Sequence, residues 1–74
     1  MSPSGRRAGT VVAFDEHVGL GQVEAAAGGR RYRFHCTQIA GGSRRIEVGV
    51  RVSFELLAGK GGAWEAADLR TAGG

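Results

Sequence analysis

The chain has 74 residues, a formal net charge of +3, 14 glycines and a single proline. That length holds one small core, worth about 3–5 kcal/mol of net stability without disulfides or metal. Its one cysteine, Cys36, excludes an internal disulfide and points to a reducing, cytoplasmic setting, and the arginines near Met1 have no apolar run behind them to make a signal peptide or a membrane anchor.

Taken in chain order, residues 1–8 read as a flexible segment, 9–70 as one folded domain and 71–74 as a flexible tail. Thr10 to Phe14 is β-branched and apolar and stops at the polar turn Asp15-Glu16-His17, which predicts a first strand. Gly19 to Val23 predicts a second, with Gly19 and Gly21 on the face of Val23, where missing side chains allow a tight bend or a close backbone approach. Ala26 to Gly29 is a turn, and Arg31 to Cys36 predicts a third strand. Tyr32 and Phe34 then face a core while Arg31, Arg33 and His35 face outward and offer positive charge.

Ile39 leads into the polar loop Ala40 to Arg45. A fourth strand is predicted where Val48, Val50, Val52, Phe54 and Leu56 alternate with Gly49, Arg51, Ser53, Glu55 and Leu57. Gly59 to Gly62 is a hairpin turn, and a fifth strand runs from about Ala63 to Leu69. No segment has a capped 3.6-residue apolar period, so helix is not expected. Short strands with glycine-rich turns predict an all-β, five-stranded antiparallel barrel, whose closure removes exposed sheet edges.

From Gly9 to about Arg70 the string resembles the bacterial cold-shock proteins. Gly9-Thr10-Val11 and Phe14 are similar to that family's opening "GTVKWF", Gly19-Leu20-Gly21 to "KGFGF", and Phe34-His35 to "VFVHF". Ile39, Gly49, Arg51-Val52-Ser53-Phe54-Glu55 and Ala66-Ala67-Asp68-Leu69 stand where it has "I", "GQRVSFE" and "AANV". The resemblance implies an oligonucleotide-binding (OB) barrel that binds single-stranded RNA or DNA through the outer face of strands two and three.

This chain departs from the family at the stacking positions. Ala13 replaces the tryptophan, Leu20 and Gln22 the two phenylalanines of "KGFGF", Val18 its lysine, and Arg33 and Cys36 the phenylalanines of "VFVHF". A base stacked on an aromatic ring is worth about 1–3 kcal/mol, so each lost ring weakens binding. Guanidinium groups stack on bases and pair with phosphate, and Gln22 can reach base edges, which predicts a weaker, salt-dependent binder.

The candidate binding residues are Phe14, Leu20, Gln22, Arg31, Arg33, His35, Arg44 and Lys60. Core packing competes with binding for Phe14, and ordinary solvation competes for the arginines, Lys60 and His35. Trp64 is either a lid on the barrel end or a stacking platform, and Leu20 with Leu57 would make a small apolar patch.

Catalysis is not expected: His35 and Cys36 as strand neighbours face opposite sides. His17, His35 and Cys36 are too few for a zinc site, and Gly-Leu-Gly precedes no helix to form a phosphate loop. A monomer without cofactor or metal is expected, with single-stranded RNA or DNA as the partner. The competing reading is a protein-interaction module that keeps the barrel and has lost nucleic-acid binding.

Overall fold

The computed structural model describes residues 6–72, the Lys60 side chain excepted. Strands β1 (Arg7–Asp15), β2 (Leu20–Ala25), β3 (Arg31–His35), β4 (Arg51–Ala58) and β5 (Trp64–Thr71) close into a barrel in the order β1-β2-β3-β5-β4. The neighbouring pairs are antiparallel except β3 with β5, which meet in parallel at Arg33 and Glu65. Short 3-10 turns lie at Cys36–Gln38, Ala40–Gly42 and Lys60–Gly62.

The inward positions of each strand supply the core. Val11, Val23, Phe34, Val52, Phe54 and Leu69 are almost wholly buried, and Ile39 plugs the region beside β5 through its bridge to Leu69. Tyr32 tilts over Phe54 with ring centroids 5.9 Å apart, as the alternation in β3 requires. A bulge between Val11 and Ala13 changes the parity of β1, so Ala13 faces outward opposite Gln22 while Phe14 turns inward opposite Gly21. Phe14 then stacks on Phe34 at 6.0 Å and 11°.

Gly21 is fixed by that packing. A Cβ there would lie 2.5 Å from Phe34 Cζ and 2.8 Å from the Ala13 carbonyl oxygen, so only glycine lets β2 pass between ring and backbone.

The strands overrun their expected ends at both sides of the barrel. Arg7 and Ala8 pair with Phe54 and Ser53, and Thr71 pairs with Val52. Residues 1–5 and 73–74 of the expected flexible ends lie outside the described residues. In contrast, β4 starts at Arg51, three residues later than the alternation from Val48 suggests. Gly49 has φ of 98°, and Val50 N–H donates back to the Glu47 carbonyl, so Val48-Gly49 forms a turn whose residue types happen to match a strand period.

Arg6, just before β1, ties this strand to β4 and β5. Its guanidinium donates to the Asp68 carboxylate (2.9 Å), the Asp68 carbonyl (2.9 Å), Ser53 Oγ (2.8 Å) and Glu55 (3.4 Å). Asp68 has φ of 50°, a left-handed conformation that Asp tolerates better than most residues, and its N–H donates to Gln38 Oε1. A hydrogen bond from Arg70, with Arg6 adding to it, holds the Asp68 carboxyl below the ordinary carboxylate value.

Candidate nucleic-acid interface

The outer face of β1, β2 and β3 is built of three cross-strand rows. Asp15, Leu20 and His35 form one, Ala13, Gln22 and Arg33 the next, and Thr10, Glu24 and Arg31 the third. Cross-strand partners stand side by side on one face of a sheet, so this register decides which candidate residues meet. Phe14, Leu20, Gln22 and Arg33 line one shallow groove of about 330 Å³, together with Ala13, Asp15 and Gly21. His35 borders it through its pairing with Leu20.

The His35 ring is held by the turn that follows β3. Thr37 N–H donates to Nδ1 (3.2 Å) and Thr37 Oγ1 lies 3.0 Å from the same atom, so the ring caps the 3-10 turn. With Nδ1 accepting from a backbone amide, the proton of the neutral ring sits on Nε2, which becomes an outward hydrogen-bond donor.

Cys36 is not opposite His35 as strand alternation predicts. The strand stops at His35 and Cys36 enters the turn, leaving its Sγ 3.9 Å from Nδ1. That nitrogen already accepts the Thr37 amide, so it is not disposed to take a thiol proton.

The electrostatics of the face also differ from the expectation of a positive ridge. Arg31 Nε donates to Glu24 Oε1 at 3.2 Å, and both side chains are exposed enough for water to reach them. Glu24 and Asp15 match Arg31 and Arg33 in number, and Glu65 adjoins Arg33 in the parallel pair. Arg33 is the arginine of the central row, and among the described residues it forms no ion pair.

Sequence alternation assigned faces correctly within β3 but omitted the partner strand. Folding the chain about Ala27-Gly28 puts Glu24 against Arg31, so the signal lay in the hairpin's symmetry.

The remaining candidates lie elsewhere. Arg44 lines a separate cleft of about 490 Å³ with His17, Val18, Cys36 and Thr37, which adjoins the face at the β1–β2 turn and the end of β3. Its neighbour Arg45 approaches Glu16 at 3.6 Å. The Lys60 side chain lies outside the described residues. Leu20 and Leu57 are both exposed, at 37% and 52%, yet they do not form one patch, because β2 and β4 are not neighbours in the barrel.

This architecture is a closed five-stranded barrel similar to the OB fold of a cold-shock domain. The chain is similar to a solved structure titled "drosophila Unr CSD456", with a TM-score of 0.73 and 24% identity over 89% of this chain. The match spans 26% of that longer chain. No protein-family model matches the sequence, and no curated protein does.

No helix among the described residues is long and apolar enough to cross a membrane.

Proposed function

We propose that this chain is a binding module for single-stranded RNA or DNA that works without turnover, through the outer face of β2 and β3. The observation that carries this reading is the convergence of Phe14, Leu20, Gln22 and Arg33 on one open groove, with His35 at its border. Gln22 and the His35 Nε2–H offer hydrogen bonds to base edges, Arg33 offers a planar cation for phosphate or base, and Leu20 offers an apolar rest for a base. The barrel class supports the reading, because OB folds hold single strands on such sheets.

Weak binding is part of this reading, and two features of the groove support it. The groove has one half-buried ring in place of a row of exposed ones, and its charges nearly balance. Counterion release gives a slope of log affinity against log salt of roughly −0.7 per neutralised phosphate on a single strand. Contact from Arg33, the one arginine lining the groove, therefore gives about −0.7, a shallow dependence and not the steep one a continuous arginine ridge would produce.

The test is a nuclear magnetic resonance titration with short mixed-sequence oligonucleotides at two salt concentrations. The expected result is that amide signals of Leu20, Gln22, Arg33 and His35 move together at low salt. Unmoved signals at millimolar oligonucleotide would sink the reading.

In this reading the module is a cytoplasmic monomer that needs no cofactor. The balanced charge and missing rings also favour a second reading, in which the same face meets a polypeptide. A partner recovered by pull-down after nuclease treatment supports that alternative, and recovery abolished by nuclease refutes it.

A further inference from the structure

The aromatic side chain most open to solvent lies away from that face. Trp64, at the start of β5, is 55% exposed and lines a cleft of about 440 Å³ with Arg7, Arg30, Tyr32, Glu55 and Leu56. That volume falls within the roughly 300–1,000 Å³ of small-ligand clefts. Four elements supply it: the first residue of β1, the β2–β3 turn, β3, and the β4–β5 hairpin.

Its chemistry is one-sided. Among the described residues Arg7 and Arg30 make no ion pair, whereas the single carboxylate, Glu55, already faces Arg6 at 3.4 Å. Two unengaged guanidinium groups therefore share a cleft with an exposed indole, a half-buried phenol ring and the side of Leu56. An indole more than half exposed leaves apolar ring surface in water, and an aromatic side chain of this kind stacks on the face of any base. The cleft asks for a ligand with an aromatic plane and a separate negative group.

We infer that this cleft is a second binding site, taking one nucleotide unit with its base stacked on Trp64 and its phosphate held by Arg7 and Arg30. The two arginines come from different elements, so a phosphate between them would bridge β1 to the β2–β3 turn beside the stacked base. The site is independent of the β1–β3 face. It would take either a free nucleotide or one residue of a longer strand, since base and phosphate are common to both.

Trp64 is the chain's only tryptophan, so its fluorescence reports this cleft alone. The probe is adenosine monophosphate at low salt, with adenosine and ribose 5-phosphate as fragments and a short oligoadenylate as the polymer. The expected result is saturable quenching by the monophosphate, with either fragment binding about tenfold more weakly or worse. Tighter binding of the oligoadenylate assigns the site to a strand, and equal binding assigns it to the free nucleotide. Both results support the stacking site.

Arg7→Gln combined with Arg30→Gln should weaken the monophosphate at least about tenfold while leaving the amide spectrum folded, because both side chains are exposed. The proposal is overturned if quenching never saturates, if ribose 5-phosphate binds as well as the whole nucleotide, or if the double variant binds unchanged. Trp64 emission that changes with protein concentration alone would mean that a second copy covers the cleft, and would also overturn it. Oligonucleotide shifts at Gln22, Arg33 and His35 with a silent Trp64 would sink this site and leave the other face standing.

Discussion

The two sides of the barrel divide between them what a single-strand binder usually combines. On the β1–β3 face the cations and hydrogen-bonding groups point outward while the rings of Phe14 and Phe34 turn in and stack on each other. Around the β4–β5 hairpin the arrangement is reversed, with Trp64 outside and two unpaired arginines beside it. A ring therefore serves stability on one side and remains available on the other, and the difference comes from strand parity. The bulge in β1 turns Phe14 inward, whereas Trp64 begins β5 outside the core.

The largest expected effect tests that division directly. Phe34 is 1% exposed, and Phe34→Ala should cost about 3–5 kcal/mol, as much as the whole domain has to spare. Trp64→Ala should cost less than about 1 kcal/mol, because more than half of the side chain is already in water. Chemical denaturation of both variants measures the contrast. Similar losses for the two would mean that Trp64 closes the barrel end and is not an available surface.

The Arg6 clamp comes next. It holds β1 to the β4–β5 side through four hydrogen bonds from a side chain only 18% exposed, so Arg6→Ala should lose about 1.5–3 kcal/mol. Its pH dependence has a definite sign. Asp68 titrates below its ordinary value of 3.8 in the fold, so its contribution is complete above that value and is lost as pH falls through the lowered one. Acid denaturation should show a loss of stability over this window that is shallower in Asp68→Asn. An identical acid slope in the variant would remove Asp68 from the account.

These contrasts show where a linear reading of residues succeeds. Alternation of side chains placed Tyr32 and Phe34 inside and Arg33 outside, and glycine spacing marked the crossing at Gly21, because both signals are local to one strand. The Arg6 clamp joins residues 62 positions apart and has no local period, so nothing in the string announced it. Val48 misled for the opposite reason. It continues a period of two into a turn set by the positive φ of Gly49 and the hydrogen bond from Val50 N–H to the Glu47 carbonyl. Alternation along β3 likewise exposes Arg31 but carries no trace of Glu24, which comes to stand opposite it only through the β2–β3 register.

Restoring a ring to the outer face would erase the difference between the two sides. Gln22 is exposed in the central row beside Arg33, and a phenylalanine suits a strand position, so Gln22→Phe should fold normally. One added stacking surface is worth about 1–3 kcal/mol, or roughly fivefold to more than a hundredfold in oligonucleotide affinity. Unchanged affinity in a fluorescence-anisotropy titration would mean that bases do not lie over the groove.

The smallest effect concerns Glu24. Its exposed ion pair with Arg31 is worth no more than about 1 kcal/mol, so the arginine can exchange it for a phosphate, but a strand passing there must meet the carboxylate. Glu24→Gln keeps the shape of the side chain, frees Arg31 and removes that repulsion. Affinity at low salt should rise by about twofold to fivefold, within the range of one exposed charge pair. The decisive reading is the salt dependence, because a newly engaged Arg31 adds one neutralised phosphate and steepens the slope by about 0.7. A higher affinity with an unchanged slope would mean that Glu24 acts only as a distant repulsive charge, and the strand's path would then end at the row of Gln22 and Arg33.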